Sequence, residues 1–105
     1  MWLFMNKSFL SIVDKGDPSG KTLLVRARQA GDIGQVFPDA EVQMGAGSDY
    51  RYRARIDREQ VANAIADSIR NIDYGNFKST VSDPDRHDAY LDVWSIMHAF
   101  QSNHK

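Results

Sequence analysis

The sequence predicts an α+β fold, in which a mostly antiparallel sheet of four or five strands carries two main helices on one face. The first half of the chain holds short alternating or apolar runs separated by turn residues. The second half holds two longer stretches in which apolar residues recur at helical spacing. Strands followed by helices are typical of α+β folds. With 105 residues, 42% of them hydrophobic and 26% charged, the chain is expected to form a single domain over residues 1–101 with a frayed tail at 102–105.

Three strands are predicted at the start of the chain, at residues 2–5, 8–15 and 21–28. Asn6 and Lys7 fit a two-residue hairpin loop between the first two strands. The segment 16–20, Gly-Asp-Pro-Ser-Gly, has the composition of a turn and separates the second strand from the third. Such short connections favour an antiparallel meander.

The middle of the chain is predicted to add a helical turn at 30–37 and two more strands. Ile33, Val36 and Phe37 are expected to face the core, and Pro38 to end the turn, because the residue before proline avoids the α region. A brief strand is expected at 41–44, a flexible loop at 45–49, and a strand at 50–56 that alternates strictly.

Two helices are predicted, at 58–72 and 85–101, each beginning after a capping aspartate. Asp57 precedes the first helix, and Asp83 with Pro84 precedes the second. Apolar residues in both helices fall on one stripe and should cover the same face of the sheet. The residues expected to be buried are Val61, Ile65, Ile69, Tyr90, Val93, Met97 and Phe100.

Arginines are concentrated on one face of two predicted strands. Strand alternation places Tyr50, Tyr52, Ala54 and Ile56 on one face of the 50–56 strand and its arginines on the other. In the third strand, Leu23, Val25 and Ala27 likewise lie opposite two arginines. If the strands share a sheet, the arginines form one surface, named here the arginine patch: Arg26, Arg28, Arg51, Arg53 and Arg55.

Two interpretations of the arginine patch are open at this point. The arginines can pair internally with the carboxylates of Asp14, Asp17, Glu41 or Asp49. Alternatively, the patch binds a phosphate backbone or an acidic protein surface, as arginine does well through its planar fork. Tyr74 and Phe77 lie in a broken segment between the helices and are either packing residues or exposed anchors for a partner.

The sequence contains no convincing catalytic, metal or cofactor site. Asp83, Asp85, His87 and Asp88 are the only cluster of potential metal ligands, but the first two also fit helix capping and the first helical turn. There is no cysteine, and Gly45-Ala46-Gly47 precedes a strand rather than the helix that a dinucleotide loop requires. No run is apolar and long enough for a membrane span. The absence of cysteine fits a cytoplasmic protein, and the net charge of −1 disfavours both a strongly basic nucleic-acid binder and a strongly acidic mimic of DNA. We expect a monomer or weak dimer.

Several segments together carry a resemblance to a known group of proteins. They are 2–4 (WLF), 9–13 (FLSIV), 24–28 (LVRAR), 37–40 (FPDA), 49–54 (DYRYRA), 73–78 (DYGNFK) and 86–91 (RHDAYL). This set resembles small uncharacterised bacterial and phage proteins. In its size and compactness, rather than in these motifs, the chain also loosely resembles the anti-CRISPR inhibitors of mobile elements. The resemblance covers nearly the whole chain and implies no catalytic role for any residue.

The sequence therefore favours a non-catalytic protein-binding module without metal or cofactor. The first hypothesis is a phage or mobile-element inhibitor that docks on a host CRISPR effector complex. The alternative is a nucleic-acid-binding protein that uses the arginine patch, and the third is a metal-dependent hydrolase. The predicted partner-binding residues are the arginine patch together with Tyr74 and Phe77.

Overall fold

The computed structural model describes residues 1–45 and 49–104, and it shows the predicted α+β architecture. The chain divides into two compact units, residues 1–73 and residues from 74 onward. The first unit contains β1 (Trp2–Phe4), β2 (Phe9–Val13), β3 (Thr22–Ala27), α1 (Asp32–Val36), β4 (Gln43–Met44), β5 (Tyr52–Asp57) and α2 (Arg58–Arg70). The second contains a 3-10 helix (Lys78–Thr80) and α3 (Pro84–Asn103).

The five strands form one antiparallel sheet in the order β1-β2-β3-β5-β4. The predicted hairpin between β1 and β2 is confirmed: the amide of Met5 donates to the carbonyl of Ser8 at 2.8 Å, so that Asn6 and Lys7 form the loop. β4 and β5 begin two residues later than predicted. The loop predicted at 45–49 includes residues 46–48, which lie outside the described residues.

One face of the sheet packs against α1 and α2 to form the core of the first unit. Val61 of α2 is buried as predicted, and Ile65 is half-buried. The strand residues in this core alternate along each strand, α1 adds Ile33, and Phe37 directly after α1 adds one more side chain. The buried cluster is Leu10, Ile12, Val25, Ala27, Ile33, Phe37, Ala54, Ile56 and Val61. We call the opposite surface of the sheet the outer face.

The prediction that Ile69 is buried is wrong, since 63% of its surface is exposed. α2 starts directly after β5, with the carboxylate of Asp57 accepting from the amide of Gln60 at 3.3 Å. Its first two turns therefore lie over the sheet, where Val61 and Ile65 reach the core. Ile69 is two turns beyond Val61, about 12 Å farther along the helix axis, and therefore lies beyond the buried cluster.

The second unit is built on α3, whose predicted cap is present. The carboxylate of Asp83 accepts from the amide of Arg86 at 2.9 Å, and Pro84 occupies the first turn. Tyr90 is buried as predicted and Val93 is half-buried. The helix continues to Asn103, so residues 102 and 103, expected to be frayed, are helical.

Met97 and Phe100 were predicted to be buried, and this is wrong. They are 56% and 54% exposed, and their helix also exposes Trp94 and Ile96. The sequence does contain an apolar stripe along α3, but a stripe by itself does not ensure that another element packs against it.

Among the described residues, no helix is both long and apolar enough to cross a membrane.

Candidate functional site

A single row of side chains crosses all five strands on the outer face. The strand register places Trp2 opposite Ser11, Ser11 opposite Arg26, and Arg26 opposite Arg53. Arg53 is in turn opposite Gln43 of the edge strand β4. Residues directly opposite each other in a sheet project from the same face. With strands spaced ~4.8 Å apart, the row from Trp2 to Gln43 spans ~19 Å.

Arg26 is held in this row by neutral partners. Its Nη2 donates to the Oγ of Ser11 at 2.8 Å, and its guanidinium carbon lies 4.5 Å from the ring centre of Tyr50. The guanidinium of Arg28 lies 4.1 Å from the same ring. Tyr50 is 4% exposed, so that one buried tyrosine supports two arginines.

The contacts of Tyr50 correct the prediction that it faces the helices with Tyr52. Its ring lies beside arginines of the outer face because residues 49–51 form a bend and β5 begins only at Tyr52. Strict alternation applies within a strand and ends where the strand ends. The prediction is correct for Ala54 and Ile56, which lie in the core.

The three arginines of the 51–55 segment differ in exposure. Arg53 is half-buried, and its buried Nε has no hydrogen-bond partner within residues 1–45 and 49–104. Arg55 is exposed and donates to the Oγ1 of Thr22 at 3.2 Å and to the carbonyl of Lys15 at 2.9 Å. Arg51 is exposed, and its carbonyl accepts from the amide of Gly45 at 2.9 Å. Arg51 and Arg55 are thus exposed, whereas Arg26 and Arg53 are only partly accessible.

Most of the arginine patch has no internal countercharge within residues 1–45 and 49–104. Arg28 is the one member that forms an ion pair there, with its Nη1 3.3 Å from the Oδ1 of Asp49. Its Nη2 donates to the other carboxylate oxygen of Asp49 at 3.4 Å. The hydrogen bond to Asp49 is the main reason why the pKa of Arg28 is raised above its usual value. The interpretation of internal pairing thus holds for Arg28 and fails for the other four arginines.

The remaining carboxylates proposed as internal partners are used elsewhere in the described chain or form no ion pair there. Asp14 pairs with Arg58 at 2.9 Å, and Glu41 lies in no ion pair of the described residues. Asp17 accepts from the amide and hydroxyl of both Ser19 and Thr22, at 2.6–3.0 Å. These hydrogen bonds, that of the Thr22 hydroxyl first, lower the pKa of Asp17 far below its usual value. Asp17 therefore stabilises the turn at 16–20, next to which Arg55 is anchored.

Aromatic side chains occupy the other half of the outer face. Trp2 is 66% exposed, and its ring meets Phe9 edge-on, with centres 6.1 Å apart. Phe9 in turn lies 4.7 Å from Phe4, its partner across the β1–β2 hairpin. Phe9, itself packed on Phe4, thus contacts the indole of Trp2 while most of the surface of Trp2 stays exposed.

Tyr74 and Phe77 belong to the second unit. Phe77 is half-buried and stacks on the buried ring of Tyr90, with centres 6.0 Å apart. Tyr74 contacts Phe77 at 5.9 Å and is 36% exposed. Phe77 is thus a packing residue, whereas Tyr74 keeps an accessible surface.

The acidic cluster at the start of α3 is explained by capping. Asp83 is the N-cap, and Asp85 lies in the first helical turn. Among the residues that the structure describes, no three histidine, aspartate or glutamate side chains come together to form a metal site.

Sequence reasoning missed the contribution of Trp2, Ser11, Gln43 and Tyr50 to this surface. Alternation in β1 and β2 already separates Trp2, Phe9 and Ser11 from the core residues Leu10 and Ile12. It does not reveal which residue of the next strand each one faces, because register depends on the turns and on packing.

Comparison with models of protein families, with curated proteins and with solved structures found no match for this chain.

Proposed function

We propose that this chain is a non-catalytic binding protein that binds nucleic acid through the outer face of its sheet. The observation that carries the proposal is the juxtaposition of Arg26 and Arg53 in one cross-strand row with the exposed Trp2. Nucleic-acid surfaces combine cations for the phosphates with aromatic rings for the bases. Both groups lie on the same face of this sheet.

The partners of the arginines support an anionic ligand. Arg26 and Arg55 are positioned by hydroxyl and carbonyl oxygens, which fix the guanidinium groups without neutralising them. An arginine held in this way keeps its charge available for phosphate, to which it presents several N–H donors in one plane. The cost of ordering the side chain is partly met before the ligand arrives.

The test is fluorescence anisotropy of a labelled oligonucleotide at several salt concentrations between about 25 and 200 mM. The parent protein should bind, and log K should fall linearly with log salt, because phosphate contacts release counterions. Arg51→Glu should weaken binding at low salt. Arg51 is exposed and has no carboxylate partner among the described residues, so the substitution should preserve the fold.

The matched control is Arg70→Glu, which changes the net charge by the same amount. Arg70 lies in α2, the helix that packs on the face of the sheet opposite to the outer face. Arg70 is exposed and pairs only with Asp67 of its own helix among the described residues, at 3.1 Å. It should bind as the parent does. Absence of binding at 25 mM salt, or equal losses in Arg51→Glu and Arg70→Glu, contradicts the proposal.

A second candidate is an acidic protein surface, including that of a CRISPR effector complex. It is favoured by Arg28, which already holds the carboxylate of Asp49 through two N–H groups. A carboxylate of a partner would be bound in the same way. This candidate is supported if the protein binds no nucleic acid at 25 mM salt but captures a defined acidic partner from host lysate, and Arg51→Glu abolishes the capture.

A further inference from the structure

We infer that the outer face binds single-stranded rather than duplex nucleic acid, with Trp2 as the platform on which a base stacks. This inference rests on the proposed function and adds the class of nucleic acid. It comes from the order of side chains in the row across the sheet: an exposed indole at one edge, two guanidinium groups in the centre and the Gln43 amide at the other edge.

Trp2 has the geometry of a stacking platform. Phe9 meets its ring at an interplanar angle of 74°, so the contact uses ring edges and restricts the indole without stacking on it. With 66% of the residue exposed, indole surface remains for an incoming base. Every base has a π face, so stacking of this kind tolerates many sequences.

The centre of the row fits the backbone of the same strand. Arg26 and Arg53 lie on adjacent strands, two and three strand positions away from Trp2. At ~4.8 Å per strand, their backbones lie ~10 and ~14 Å from that of Trp2. A strand that places one base on Trp2 can therefore run across the sheet with its phosphates over the arginines.

Gln43 ends the row at the edge strand β4. It is exposed, and its amide offers both a donor and an acceptor to the edge of a second base. Ser11, in contrast, is 1% exposed and uses its hydroxyl to hold Arg26, so it positions the arginine and does not face the ligand.

A duplex cannot use this arrangement fully. Its bases are stacked and paired inside the helix, and only its phosphates and groove edges reach a flat sheet face. It would meet the arginines but gain nothing from Trp2. The structure therefore assigns the preference for single strands to Trp2. Replacing Trp2 should remove this preference and leave the charge of the arginines unchanged.

The experiment compares Trp2→Ala with its matched control Trp94→Ala. Trp94 is the other tryptophan of the chain and is 51% exposed on α3. The probes are a labelled twelve-nucleotide oligothymidine, its RNA counterpart, and a twelve-base-pair duplex, all at 50 mM salt. We expect Trp2→Ala to weaken binding of both single strands ~tenfold and to leave duplex binding unchanged, because one base–aromatic stack is lost. Trp94→Ala should bind like the parent.

A second measurement follows the ring directly. In a Trp94→Phe variant, Trp2 is the only tryptophan, and its fluorescence should be quenched when the oligothymidine binds. Unchanged single-strand affinity in Trp2→Ala, unquenched Trp2 fluorescence, or duplex binding as tight as single-strand binding overturns the inference.

The two proposals fail in different ways. If the parent binds duplex and single strands equally, with a steep salt dependence and no role for Trp2, nucleic-acid binding stands and the single-strand inference is wrong. If none of the three probes binds at 25 mM salt, the proposed function itself is wrong.

Discussion

Arg26 and Arg53 face each other across the β3–β5 pair, and each has a buried Nε that finds no hydrogen-bond partner among the described residues. Among the described residues, neither guanidinium forms an ion pair with a carboxylate. Like charges directly opposite in a sheet destabilise it, and a buried donor without an acceptor adds to the cost. The Arg26–Arg53 pair is therefore expected to lower the stability of the free protein.

Arg53→Met should therefore stabilise the fold. The unbranched side chain keeps the packing of the arginine stem while removing the charge and the unpartnered Nε, and we expect a gain of ~0.5–1 kcal/mol in the free energy of unfolding. Urea denaturation measures it. Arg26→Met is the control, because it also loses the hydrogen bond to Ser11 and the contact with Tyr50, and it should gain less. A loss above ~1 kcal/mol in Arg53→Met would show that its guanidinium has a structural role.

Tyr50 is expected to be essential for the arginine patch. Tyr50→Ala should cost ~3 kcal/mol of stability, because it removes a buried ring, and should leave Arg26 and Arg28 without support. Tyr50→Phe keeps the ring under both guanidinium groups and should cost only ~1 kcal/mol. Thermal denaturation and binding at 50 mM salt measure the two effects. Equal behaviour of the two variants would mean that the ring is not what organises the arginines.

The sequence predicted the faces of the strands better than the relations between them. Alternation is a local property with a period of two, and it correctly separated Arg53 and Arg55 from Ala54 and Ile56. That Arg53 faces Arg26 depends on the lengths of turns and on the packing of distant segments, which local pattern does not contain. Tyr50 was misplaced because the strand ends at a bend before reaching it.

The helices show the same limit in another form. Capping by Asp57 and Asp83 is encoded within four residues and was predicted correctly. Burial of Met97 and Phe100 was inferred from helical spacing. Spacing shows which residues share one face of a helix, but it does not show whether another element packs on that face, and both side chains are more than half exposed.

The exposure of the α3 stripe leads to a stability prediction. Met97→Ser and Phe100→Ser should each change the free energy of unfolding by no more than ~0.5 kcal/mol, since these side chains are more than half exposed. Tyr90→Ala is the contrasting variant, because Tyr90 is buried and stacks on Phe77, and it should cost ~3 kcal/mol. If Phe100→Ser were as damaging as Tyr90→Ala, the stripe would be covered in solution.

The turn at 16–20 should become weaker in acid because of Asp17. Hydrogen bonds to its carboxylate lower its pKa in the folded state below the unfolded value of 3.8. The ionised form is thus favoured by folding, so its contribution to stability is present above about pH 4 and is lost as the pH falls through the folded pKa. Asp17→Asn removes this ionisation.

We therefore expect the parent to be more stable than Asp17→Asn at pH 7, with the difference shrinking below pH 4. Urea denaturation of both proteins at pH 7, 4 and 2.5 measures it. Asp14→Asn serves as a comparison, since Asp14 forms an exposed ion pair with Arg58 and lies outside the turn's hydrogen bonds. A difference that grows towards low pH would contradict the assignment.

Gly16 is expected to control the position of Arg55. It has a φ of +86°, and a Cβ at this position would approach the Nη2 of Arg55 to 2.7 Å. Gly16→Ala should therefore strain the turn and push the guanidinium away from the carbonyl of Lys15, to which it donates at 2.9 Å. Gly20→Ala is a matched control, because its φ is +70° but its nearest neighbours would be 3.8 Å away. Both variants should lose ~1 kcal/mol of stability from the left-handed backbone, and Gly16→Ala alone should also weaken oligonucleotide binding at 50 mM salt. Equal affinities in the two variants would mean that the fixed position of Arg55 does not contribute to the binding surface.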